Sequence, residues 1–262
     1  KKTNRFPIMF APQYLSHHQI NQLLWDECID NAQNSMPYAY SWYLNTVAPD
    51  AWNALVLGDY LAVMPLPTRT KWGILPYIYQ PYWLQQLGIF STFALSDNLI
   101  NNFLKKIPVE FKLVDIYLNE GNNFGIKQTA TTICMRTNYI LSLHKTYEII
   151  NTGYNQNTRR NLRKAQQNNL YVEFDLSASM LVQNYRQQVG ERQPMLKAEH
   201  YQQMETLIRE AQKRQMAITV GIFDPNGRLH ATAFFMKTHR RLINLLPAST
   251  PLGRQSGAMF LL

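Results

Sequence analysis

With 262 residues, of which 46% are hydrophobic and 16% charged, the chain has apolar material for one large core or two ordinary ones and too few charges for a disordered protein. Its net charge of +9 narrows a charged partner to nucleic acid, a membrane surface or an anionic small ligand. The excess is lopsided: residues 1–144 carry 10 Lys/Arg against 9 Asp/Glu, and 145–262 carry 16 against 8.

In chain order, Ser16-His17-His18-Gln19 reads as a helix start, with Ile20, Leu23, Leu24, Cys28 and Ile29 at three-and-four spacing to about Asn34. A shorter helix follows over Tyr40–Val47. Ala54–Leu57, the Gly58-Asp59 turn, Tyr60–Met64 and Trp72–Tyr79 read as an antiparallel meander. Asp97–Lys106 is predicted helical, Phe111–Leu118 a strand, and Ala130–Leu143 a long alternating strand. The order then repeats. A helix over about Asn155–Asn168 leads to a strand at Tyr171–Phe174, helices at Ala178–Val189 and Lys197–Arg214, and strands at Ala217–Phe223, Leu229–Lys237 and Arg241–Leu246. Asp224-Pro225-Asn226-Gly227 marks a turn between the first two of these strands. The expectation is a mixed α/β (α+β) chain of two related domains, 1–144 and 145–262. Gly257–Leu262 reads as the first turns of an apolar helix, so the second domain is expected to be incomplete.

Cys28 and Cys134 form no CxxC and no Cys/His cluster, which suggests buried thiols in a cytoplasmic chain. No signal-peptide pattern is visible. The uncharged run Trp72–Ser96 is broken by Gly73, Pro76, Pro81 and Gly88, so no transmembrane segment is expected.

Three segments could carry chemistry. Arg159, Arg160, Arg163 and Lys164 place four cations in six residues, and no acid lies between Glu148 and Glu173. On a helix, Arg159/Arg163 and Arg160/Lys164 form two adjacent rows that repel each other, a surface for phosphate or carboxylate or else a solvated basic face. Leu246–Ala258 follows a strand, is rich in small residues and opens a helix, the recipe for offering backbone N–H groups to phosphate and also that of an ordinary loop. Tyr79–Phe90 groups Gln80, Gln85 and Gln86 with Tyr82 and Trp83. It could line a ring-walled polar pocket, or place rings in the core and amides on loop backbone. HExxH, GxSxG and paired-carboxylate signatures are missing, and no metal site is expected.

The block Asn157-Thr-Arg-Arg-Asn-Leu-Arg-Lys-Ala165, followed by Leu170-Tyr-Val-Glu173, resembles that of FemAB-like proteins, a branch of the GNAT superfamily with two GNAT domains in tandem. The likeness extends to Tyr185 and Arg192, and to Gln80-Pro81 with Gln85–Phe90. It implies two tandem GNAT-like domains, each a mixed, largely antiparallel sheet flanked by helices. It also implies an N-acyltransferase moving an acyl group from acyl-CoA, as co-substrate, to a small-molecule or peptide amine. Arg254, Gln255, Ser256, Gly257 and Ala258 would hold the donor, Met259 standing where the family pattern has Gly or Ala. Arg159, Arg160, Arg163, Lys164 and Arg192 would bind anionic substrate, and Gln80, Tyr82, Trp83, Gln85 and Gln86 the acceptor. Glu191 and Tyr185 are the candidates for proton transfer. Two alternatives stay open: a FemABX-type transferase using aminoacyl-tRNA in cell-wall peptide synthesis, and a non-catalytic binding module.

Overall fold

The computed structural model describes residues 11–122 and 132–262. The chain divides into two compact units near residue 127, with Thr238–Arg241 belonging to the first.

In the first unit, β1 (Gln13–Leu15), α1 (Gln22–Asn31), α2 (Ser41–Val47), β2 (Trp52–Leu57), β3 (Ala62–Lys71), β4 (Leu75–Ile78), β5 (Phe90–Ser91) and α3 (Asp97–Lys105) follow one another. The sheet runs β1-β2-β3-β4, all antiparallel, with β5 also on β3. β5 pairs with β3 at Ala62 and Val63, and β4 pairs with it from Thr68 to Lys71. Pro65 and Pro67 lie between these stretches, where the strand changes partner and a missing N–H breaks no ladder bond on that side. α1 starts where the Asn21 side chain accepts from the Leu23 and Leu24 amides. Asp26 then accepts from the Ser41 amide and hydroxyl, each at 2.7 Å, and fixes the start of α2. Leu55, Leu57, Met64, Leu66, Ile78, Ile89, Ile100 and Phe103 form the core between sheet and α3. Beside it Trp25 and Trp52 meet edge-on at 5.0 Å, their indole N–H groups satisfied by Ala39 O and Asn45 Oδ1.

The second unit comprises α4 (Tyr147–Thr152), α5 (Gln156–Gln167), β6 (Tyr171–Phe174), α6 (Ala178–Gln188), α7 (Ala198–Lys213), β7 (Ala217–Phe223), β8 (Leu229–Lys237), β9 (Leu242–Asn244), β10 (Ala248–Ser249) and α8 (Pro251–Ser256). Its sheet runs β6-β7-β8-β10, with β9 also on β8. The two sheets share a plan. A long strand, β3 or β8, has one longer antiparallel neighbour, β2 or β7, and two short ones: the next strand in sequence at its C-terminal end, the one after at its N-terminal end. The mixed α/β class with antiparallel sheets flanked by helices therefore stands.

Three sequence expectations need correction. Trp72 and Gly73 are a turn, so β4 starts at Leu75 and the polar run Thr68–Lys71 is the end of β3. Phe111–Leu118 makes only isolated parallel bridges, Ile78 with Val114 and Leu87 with Leu118, because residues 79–86 loop away between those two partners. Of the strand expected over Ala130–Leu143, Ala130 and Thr131 lie outside the described residues; 132–143 contain no strand and are exposed, since alternation extends a chain but supplies no sheet edge. Cys134 is accordingly exposed, whereas Cys28 is buried and its thiol is pushed up to about 12 by desolvation.

Candidate functional site

In the second unit, the basic helix and the glycine turn meet. α5 begins at Asn155, whose side chain accepts from the Thr158 amide. Ala165 is buried with Leu170, Ile222, Ala231 and Ala258, so the inner face of α5 is sealed against the segment that follows α8. Gly257 caps α8 in the left-handed conformation, φ 74°, its N–H donating to Gly253 O. A Cβ there would lie 2.7 Å from Asn161 O, so the close approach to α5 also requires glycine.

The four cations of α5 are not equivalent. Arg159 donates through Nε to Tyr154 O at 2.9 Å and through Nη2 to Thr152 O at 3.0 Å and Asn151 O at 3.3 Å. It thus satisfies carbonyls at the C-terminal end of α4, a structural task. Arg160 reaches Asn157 Oδ1 on its own helix, and Arg160, Arg163 and Lys164 are exposed.

The proposed donor turn is largely occupied with its own architecture. Arg254 donates to Ser249 O at 2.6 Å, and the Gly253 amide donates to Thr250 Oγ1 at 3.0 Å. Gly253 rides so closely on β8 that a Cβ would sit 1.8 Å from His230 O. His230 Nδ1 lies 2.9 Å from Ser256 Oγ, and its Nε2 lies 3.4 Å from Asp224 Oδ2. The Arg228 backbone N–H chiefly holds the Asp224 carboxyl below its ordinary range, with His230 and the Asn226 N–H assisting against partial desolvation. This Asp224–His230–Ser256 chain buries the Ser256 hydroxyl and ties α8 to β8; no sequence motif announces it. Gln255 is exposed and Ala258 buried. Met259 packs on the cluster around Ala165.

Tyr185 lies half-buried on α6; burial raises its phenol, opposed by a hydrogen bond with Gln193. The next residue back, Asn184, donates to Thr232 Oγ1 and Ala248 O, fixing α6 against β8 and β10. Glu191 and Arg192 are exposed on the single turn Gly190–Arg192 that follows α6.

In the first unit, the glutamine loop resolves into its plain reading at Gln80, while Gln85 meets a side chain. Gln80 donates to Leu84 O and accepts from the Tyr117 amide, both at 3.1 Å, and Gln85 Oε1 accepts from the Tyr38 hydroxyl at 2.9 Å. Gln86 keeps a buried Oε1 with no donor. Tyr82 and Trp83 are half-buried, and Trp83 has φ 67° with its carbonyl accepting from Tyr43.

Sequence reasoning missed the clasp at the end of this loop. Asn122 Oδ1 accepts from the Ile89 amide at 2.6 Å, and its Nδ2 donates to Ile89 O at 2.8 Å. Asn119 Nδ2 donates to Leu87 O at 2.8 Å, while Asn34 donates to Ile89 O at 2.7 Å and accepts from the Ser91 amide at 3.1 Å. Asn34 and Gly121 also line a cavity of about 240 Å³ with Gln33, Phe93, Leu95, Glu120 and Arg241. Inside it Arg241 Nη2 pairs with Glu120 Oε1 at 2.6 Å, and Arg241 Nε donates to Ser35 O at 3.0 Å. An apolar wall beside a paired carboxylate and guanidinium suits a ligand with an amine or a carboxylate at one end. Among the described residues no group of three His, Cys, Asp or Glu side chains is placed to hold a metal ion, and no helix is long and apolar enough to cross a membrane.

No protein-family model and no curated protein matches the chain. Among solved structures, the crystal structure of FemX matches with a TM-score of 0.61 at 12% identity, covering 95% of this chain and 84% of that one. The two-sheet architecture is therefore FemX-like in fold.

Proposed function

We propose that this chain transfers an aminoacyl group from the ester end of an aminoacyl-tRNA to an amine acceptor. The observation that carries this reading is the surface of α5. Arg160, Arg163 and Lys164 stand exposed on a helix locked by Arg159 and Gly257, in a stretch free of acids from 149 to 172. A polyanion relieves that repulsion along its whole length, whereas a small anion would engage only part of it. The FemX-like fold supports the same choice. Acyl-CoA is less well supported, because Gly257, Arg254 and Ser256 of the proposed pyrophosphate turn are committed to helix capping, to Ser249 O and to His230.

In the reaction the acceptor nitrogen attacks the ester carbonyl, the carbon–oxygen bond to the nucleotide breaks, the nitrogen loses a proton and the departing ribose oxygen takes one up. The protein's part is to position the two substrates. With its phenol raised by burial, Tyr185 serves as a hydrogen-bond donor in this reading, and Glu191 is the candidate to take the proton.

Binding of fluorescently labelled tRNA tests the reading. Its log affinity should fall with log salt with a slope of about −2 to −3 for three phosphate contacts, and R160Q/R163Q/K164Q should flatten that slope. Acyl-CoA raising the melting temperature, with tRNA binding indifferent to the triple variant, would move the assignment to the acyl-CoA enzyme.

A further inference from the structure

The hairpin of β3 and β4 carries a feature that the transfer reading does not use. The first six residues of β3 are buried and the last three exposed, so the strand runs out of its core and projects its end. At the tip, Trp72–Ile74 join the paired Lys71 and Leu75; Trp72 and Gly73 have φ 54° and 73°, both left-handed, and the Ile74 amide donates to Lys71 O at 3.3 Å. Gly, Asn or Asp occupy the first of these positions at little cost, and a bulky aromatic does not. Trp72 is nevertheless there, 79% exposed, and Ile74 beside it is 82% exposed.

The charges on the hairpin itself have one sign. Lys71 Nζ lies 4.5 Å from the Trp72 ring centroid, and Arg69 Cζ lies 4.2 Å from that of Tyr79. No Asp or Glu occurs between Asp59 and Asp97. Two large apolar side chains thus stand at the end of a projecting ribbon, with two cations set back along it.

We propose that this hairpin docks the protein peripherally on an anionic lipid bilayer, Trp72 and Ile74 entering the headgroup–acyl boundary while Lys71 and Arg69 meet lipid phosphates. An indole is at home in that boundary, and the cations gain from the negative surface. Ile74 decides against a single-stranded nucleic acid: a base would stack on Trp72, but a branched aliphatic side chain offers it no flat face, whereas hydrocarbon takes up both.

Full-length protein is mixed with vesicles of phosphatidylcholine alone or with phosphatidylglycerol, and partitioning is read by co-sedimentation and by indole quenching with brominated lipid. Binding to the anionic vesicles is expected. W72S/I74S should weaken it at least ten-fold with an unchanged melting temperature, W72F should largely retain it, and R69Q and K71Q should each weaken it roughly five-fold in low salt. R160Q/R163Q/K164Q serves as control for the other basic surface and should leave the quenching intact, so failure here is separable from failure of tRNA binding. Equal binding by W72S/I74S and wild type, or no binding to anionic vesicles, would overturn the proposal. Polyuridylate displacing the vesicles through Trp72 would reassign the hairpin to nucleic acid.

Discussion

The glutamine loop of the first unit and the basic helix of the second differ in where their polar atoms go. Along the loop, Gln80 and Gln85 spend their amides on Leu84 O, the Tyr117 amide and the Tyr38 hydroxyl, and three asparagines complete the work at residues 87–91. On α5, Arg159 alone turns back to backbone carbonyls, and Arg160, Arg163 and Lys164 remain in solvent. An amide that both donates and accepts is suited to pair with buried backbone, whereas a row of like charges has no interior use. Polar density in sequence therefore marks architecture in one region and an exposed cationic face in the other.

The widest break in that comparison would come from the glycine contacts that hold the second region together. Gly253→Ala drives a Cβ into the His230 carbonyl, rigid backbone that cannot swing away. It should cost at least about 3 kcal/mol in urea unfolding, and a variant within 1 kcal/mol of wild type would show that α8 is not seated on β8 as described.

In the loop, Asn122→Ala should cost about 1–3 kcal/mol, because the Ile89 amide would be left buried without an acceptor. Ile89 O would keep its bond from Asn34, so the loss stays below that of a second orphan. Asn122→Asp keeps the acceptor but sets a carboxylate oxygen against Ile89 O and Asn119 Oδ1 in a buried site, and should cost at least as much.

Acid titration sharpens the contrast from the other side. The folded protein holds Asp224 below its ordinary range, chiefly through the Arg228 N–H. A depressed carboxylate adds stability above its unfolded value, about 3.9, and loses it as pH falls through the lower folded value. Stability should therefore drop below about pH 4, and D224N should remove part of that slope while leaving the loop's asparagine clasp untouched.

How much of this was readable beforehand follows from the range of the forces involved. Tyr171–Phe174, Ala217–Phe223 and Leu229–Lys237 match the structure residue for residue, because period-two alternation and the Asp224–Gly227 turn are local signals. The packing of the Gly257 turn on the basic helix, a helix cap pressed against Asn161 O, rests on a contact between distant residues. The clasp joins Asn34 to Asn119 across 85 positions, and His230 meets Ser256 across 26, so no spacing rule could reveal either. Phe111–Leu118 misled for the opposite reason. Its alternation was real, but the partner strand it implied was interrupted by the very loop that was read as a site.

The smallest expected effect separates the two kinds of cation on one helix. R160Q/R163Q/K164Q removes the like-charge pair of Arg160 with Lys164 and that of Arg159 with Arg163, and should raise stability by a few tenths of a kcal/mol. Arg159→Gln should lower it by about 1 kcal/mol, since the Thr152 and Tyr154 carbonyls lose the Arg159 donor at the end of α4, whereas Asn151 O keeps the Tyr154 N–H. Neighbours one residue apart would then move stability in opposite directions, while tRNA affinity falls chiefly in the triple variant. If all four cations contributed alike to stability, α5 would be an ordinary solvated face held by its own network, and its acid-free sequence would carry no message about a partner.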